Sequence, residues 1–149
     1  MTDVELTAVR EAHRFDETKL NAFLEEQIPD YEGPLEVRQF EGGQSNPTFQ
    51  LITPKKTFVM RKQPPGELLP SAHQVDREYK VIAALNKTDV PVPKAYLHCE
   101  DESVIGTEFF LMSFVDGEVM WEPHFGEASN EERQKIYHSM NVRIAMFLC

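Results

Sequence analysis

Residue types able to handle an anionic ligand occur at three places, in a fixed order along the chain. FEGGQSNPTFQL, Phe40 to Leu51, sets Gly42 and Gly43 ahead of the polar Gln44, Ser45 and Asn46 and then alternates like a strand. FVMRK, Phe58 to Lys62, ends an apolar stretch in two cations, and REYKV, Arg77 to Val81, carries Glu78 beside Tyr79 within helical spacing. Paired glycines in a turn let backbone N–H groups approach an anion because no Cβ stands in the way, although a tight hairpin needs glycine equally. A strand cation can grip a phosphate and a helix carboxylate can align that cation. Taken singly, each is as well explained as an edge charge or a solvated helix acid. Their order supports the joint reading, a cover, a grip and an aligning group for phosphates.

Strand alternation separates the two cations. Arg61 shares a face with Val59, and Lys62 shares one with Met60, which fits a core position. Arg61 is therefore the preferred grip and Lys62 the competitor. A fourth part follows in FFLMSFVDG, where a strand carrying Met112, Ser113, Phe114 and Val115 meets Asp116 and Gly117. Such a strand end can offer main-chain groups to a base, and it also reads simply as a buried strand reaching a turn.

The elements that must hold these residues can be read from periodicity. Leu20, Phe23, Leu24 and Ile28 follow helical spacing, with Asp16 placed to cap and Pro29 to stop the run. LEVRQF, TFQLIT and TFVMRK alternate as three antiparallel strands, the last two joined by the turn Thr53-Pro54-Lys55-Lys56. After the proline-rich loop 63–71, Val75, Tyr79, Ile82 and Leu85 mark one face of a helix spanning 72–86. AYLHC and GTEFFLMSFV add two strands around an acidic turn, HCEDES. Ser129-Asn130-Glu131-Glu132 resembles a capping box opening a last helix, with Ile136, Met140, Ile144 and Phe147 on one side. Residues 1–14 read as a polar tail.

Composition limits the function classes. A chain of 149 residues, 41% apolar, suits one domain or a large piece of one, and its formal charge of -10 argues against a general affinity for nucleic acid or anionic membranes. Cys99 and Cys149 lie far apart without a C-x-x-C spacing, so neither a disulfide framework nor a zinc site is indicated and a reducing, cytosol-like compartment fits best. No signal peptide or membrane-spanning apolar run is visible. His98, Cys99, Glu100 and Asp101 are candidate metal ligands by type, yet four neighbours on an extended segment point to alternate sides and do not converge on one ion.

The stretches GGQSNPTFQL, FVMRKQPPGELLPSAHQVDREYKV, VPVPKAYLHCEDESVIGTEFFLMSFVDG and ERQKIYHSM together resemble the aminoglycoside phosphotransferase family of kinase-like proteins. Within it they are most similar to the N-terminal domain of acyl-CoA dehydrogenase family members 10 and 11. The resemblance covers 15–141 and leaves 142–149 as a divergent tail. It implies an α+β, protein-kinase-like N-terminal lobe: a five-stranded antiparallel sheet plus a helix, followed by the first helix of the C-terminal lobe. It further implies ATP as cofactor, with Gly42, Gly43, Gln44, Ser45 and Asn46 over the phosphates and Arg61 in place of the strand lysine, partnered by Glu78. Met112 would lie beside adenine, with Ser113 and Val115 offering backbone groups to it.

The resemblance also shows what the sequence lacks. None of His13, His73, His98, His124 and His138 begins the H-x-D of a catalytic loop, and no second metal-binding Asp follows. No catalytic or metal-binding residue is therefore assigned, and magnesium is expected only in a full-length form. The expected function is that of the N-lobe of an ATP-dependent small-molecule phosphotransferase acting on a hydroxyl, such as that of a hydroxyacyl-CoA. The competing expectation is a non-catalytic nucleotide-binding or regulatory module. Self-association is expected of a lobe whose last helix has no partner.

Overall fold

The computed structural model describes residues 5–41, 46–66, 74–117, 124–126 and 128–148. Its centre is a single antiparallel sheet of six strands in the order β1-β2-β3-β4-β6-β5, formed by Leu6–Thr7, Glu36–Phe40, Thr48–Ile52, Thr57–Lys62, Phe109–Ser113 and Ala95–Cys99, numbered β1, β2, β3, β4, β6 and β5. Helix α1 is Glu17–Gln27, α2 is Val75–Leu85, α3 is Glu102–Ile105 and α4 is Asn130–Leu148.

Strand register divides the side chains between two faces. Phe49, Met60 and Leu111 lie opposite one another across β3, β4 and β6, and with Leu51, Phe58 and Phe109 they turn toward α1 and α3. Leu20, Leu24 and Ile28 of α1 and Ile105 of α3 complete this core. Deleting one such side chain, as in Leu24→Ala, typically costs about 2–5 kcal/mol. The other face carries Gln50, Val59 and Met112 in one cross-strand row and Thr48, Arg61, Phe110 and His98 in the next, with α2 lying over β5 and β6.

The sheet has six strands where alternation alone indicates five, because part of the presumed polar tail is built in. Leu6 and Thr7 pair with Phe40 and Gln39. The buried Gln39 side chain accepts from the Arg10 backbone N–H at 2.9 Å and its amide donates to His13 Nδ1 at 2.9 Å. A second difference lies in HCEDES, where Asp101 caps the short helix α3 by accepting from the Ser103 backbone N–H and Gly106 ends it at φ +86°, a conformation that glycine adopts without strain.

The remaining helix signals act as read. Asp16 accepts from the Lys19 backbone N–H at 3.0 Å. At the start of α4, Ser129 and Glu132 cap each other reciprocally, the Ser129 N–H donating to the Glu132 carboxylate and the Glu132 N–H to the Ser129 hydroxyl. Hydrogen bonding of the Ser129 backbone N–H and hydroxyl to the Glu132 carboxylate favours its ionised form, so Glu132 titrates below the usual carboxylate range. The helix continues to Leu148, through most of the stretch read as a tail. Tyr137, Met140, Val142 and Ile144 on it are exposed. Among the described residues, no helix is long and apolar enough to cross a membrane.

Candidate nucleotide site

Arg61 and Glu78 meet above the second face of the sheet. Arg61 is the penultimate residue of β4 and directs its side chain away from the core, while Glu78 lies in the first turn of α2, and Arg61 Nη1 is 2.7 Å from Glu78 Oε2. Both side chains are about a third exposed, at 29% and 34%. An ion pair that wet adds only about 0 to 1 kcal/mol, so stability alone gives little reason for it. Arg61 Nε is buried and has no hydrogen-bond partner among the described residues.

Glu78 is held from a second side. The buried Asn46 donates from Nδ2 to Glu78 Oε1 at 3.0 Å, while its carbonyl accepts from the Thr48 hydroxyl. Asn46 thus tethers the end of the glycine stretch to α2, a role that sequence reading missed because it needs Asn46 and Glu78 to be neighbours in space. Gly42, Gly43, Gln44 and Ser45 lie outside the described residues.

Lys62 goes the other way. It is buried, with its ammonium 6.0 Å from the centre of the Phe49 ring, and burial pulls its pKa below the ordinary lysine value. Alternation therefore separates the two cations as expected, Arg61 toward α2 and Lys62 into the core side.

The neighbouring row supplies an apolar floor. Val59 and Met112 face each other across β4 and β6 next to Arg61, Val59 buried and Met112 partly so. Ser113 is partly committed, because its N–H donates to the Lys94 carbonyl at 2.8 Å and its hydroxyl accepts from the Lys94 N–H at 2.9 Å. Val115 lies past the end of β6 and is 64% exposed.

A polar cluster missed by sequence reading borders this site. A carboxylate only accepts, so His98 Nε2–H donates to Glu108 Oε1 at 2.6 Å, and Gln63 Nε2 donates to Glu108 Oε2 at 3.0 Å. The ring of Tyr79 stacks on His98 with centroids 5.4 Å apart. His98, Glu100 and Glu108 bring potential ligand atoms within 4.8 Å of one another. Cys99 points instead into the core, where burial pushes its thiol pKa up. A separate hollow of about 690 Å³ lies along α4, lined by Glu131, Gln134, Lys135, Tyr137, His138 and Asn141, and shares no residue with the Arg61 site.

The fold and the placement of these residues define a kinase-like phosphotransferase lobe, and comparison with known proteins agrees. Residues 36–142 match the phosphotransferase enzyme family, so the chain belongs to that family. It is 41% identical to human acyl-CoA dehydrogenase family member 11 over 153 residues, covering 93% of this chain and 20% of the human protein. It is 43% identical to mouse acyl-CoA dehydrogenase family member 10 over 109 residues, covering 73% of this chain and 10% of that one. A crystal structure from Ralstonia eutropha JMP134, assigned provisionally as an aminoglycoside phosphotransferase, superimposes with a TM-score of 0.76 at 47% identity, covering 89% of this chain and 38% of that chain. The chain thus spans a fifth or less of these two acyl-CoA dehydrogenase relatives.

Proposed function

We propose that this chain is the nucleotide-holding lobe of an ATP-dependent small-molecule phosphotransferase. The observation that carries the proposal is the Arg61–Glu78 contact of 2.7 Å beside the Val59 and Met112 floor. Arg61 offers a permanently charged, planar donor group to phosphate oxygens, and Glu78 and Asn46 fix where that group sits. Met112 and Val59 face adenine, and the Ser113 carbonyl and the Val115 backbone serve its polar edge, while the assignment of Gly42, Gly43, Gln44 and Ser45 to the phosphates falls outside the described residues.

When bound, magnesium would supply neutralisation of the phosphate charge. Its usual carboxylate and the catalytic base have no counterpart in this sequence, so the residues here bind and orient nucleotide and no step of transfer is assigned to them. Names of the relatives favour a hydroxyl on an acyl-CoA-derived compound. The exposed apolar residues of α4 favour self-association of the chain by itself.

Isothermal titration of the 149-residue chain with ATP tests the reading. Weak, saturable binding that falls at least tenfold in Arg61→Ala is the expected result. Affinity unchanged by Arg61→Ala overturns the assignment.

A further inference from the structure

The Arg61–Glu78 contact requires α2 to sit at one height and rotation over the sheet, and little of α2 is deeply buried, Val75 alone among its residues being so. A ring contact lies one residue beyond Glu78. Tyr79 stacks at 5.4 Å and 23° on His98 and tilts against Phe110 at 6.0 Å. Phe110 is the cross-strand neighbour of both Arg61 and His98, so platform and cation share one row of the sheet.

The His98 ring is itself held. Its Nε2–H donates to Glu108 at 2.6 Å, and the other Glu108 oxygen accepts from Gln63, two residues after Arg61 on the same strand side. One carboxylate therefore joins the continuation of β4 to the platform under α2. Asp76 and Lys80 of α2 pair with each other at 2.8 Å, one turn apart, and so tie the helix to no other element, whereas the ring stack joins the Asn46–Glu78 bond in setting where α2 lies over the sheet.

We propose that His98 is a positioning residue for the phosphate grip: held by Glu108, its ring seats Tyr79 and so sets α2 where Glu78 meets Arg61. The proposal rests on the reading of Arg61 and Glu78 as the phosphate-aligning pair, but its test does not need nucleotide.

The Arg61 guanidinium is read by nitrogen-resolved NMR of the chain, its signals assigned by their loss in Arg61→Lys. In the wild type a held guanidinium gives restrained, resolved signals. His98→Ala is expected to collapse them to the averaged position of a free arginine while methyl signals of Leu24 and Leu111 stay in place. Tyr79→Leu should do the same, and serves if His98→Ala fails to fold. His98→Phe keeps a ring under Tyr79 but loses the bond to Glu108, and should restore the resolved signals in part.

Unchanged Arg61 signals in His98→Ala and Tyr79→Leu overturn the proposal, as does collapse in His98→Phe. ATP titrated into the same samples separates the two claims. Collapse in His98→Ala in a chain whose wild type binds no ATP supports the positioning role while removing the nucleotide reading.

Discussion

At the scale of single residues, the adjacent cations Arg61 and Lys62 have opposite environments and should behave oppositely. Burial disfavours the charged form of Lys62 and lowers its folded pKa below the unfolded value. The unfolded chain then binds the extra proton between those two values, so this group's contribution to stability rises as pH rises from the depressed folded pKa toward about 10.4. Lys62→Met removes that cost. Its melting temperature should exceed that of the wild type most at neutral pH, with the difference shrinking toward pH 10, as thermal scans across the range will show. Arg61→Met should leave melting nearly unchanged and weaken ATP binding, since a pair this exposed holds little stability. The opposite facing of Arg61 and Lys62 was legible because strand alternation is a local property. The links of Asn46 to Glu78 and of His98 to Glu108 and Tyr79 were not, because they depend on strand register and on where α2 lands.

At the scale of elements, the helix caps and the alternating strands followed from short-range chemistry, and the failures have specific causes. Asp101 and Gly106 serve a turn as readily as they cap a short helix, so α3 read as a loop. Two residues are too few for alternation to reveal β1, whose ordering comes from the buried Gln39. Helix α2 depends on a further link at its C-terminal end. Asn86 donates from Nδ2 to the Pro93 carbonyl at 2.8 Å and accepts from the Ala95 N–H at 2.8 Å, tying the end of α2 to the start of β5. Asn86→Ala should lower unfolding free energy by about 1 to 2 kcal/mol, since each hydrogen bond contributes about 0.5–1.5 kcal/mol. Chemical denaturation checks the value. Hydrogen exchange should show the loss concentrated in the last turn of α2 rather than in α1.

On the scale of the whole molecule, the core face is closed by α1 and α3, whereas Tyr137, Met140, Val142 and Ile144 of α4 remain exposed at 42% to 55%. Tyr137, Met140 and Ile144 recur at helical spacing on one face of α4, and apolar exposure of that kind favours association; at physiological salt the charge of -10 is screened over about 8 Å, too short a range to mask a contact patch. Sedimentation at tens of micromolar should therefore show oligomers that Met140→Glu with Ile144→Glu converts to monomers. A monomer before substitution removes this expectation without touching the Arg61–Glu78 site, which shares no residue with α4. The central claim, that nucleotide phosphates are gripped where β4 meets α2, is tested most directly by amide NMR of the chain during ATP titration. The predicted result is a set of saturable shifts centred on Val59, Arg61, Glu78 and Met112 that vanish in Arg61→Ala. Shifts confined to α4, or none at all at millimolar ATP, contradict it.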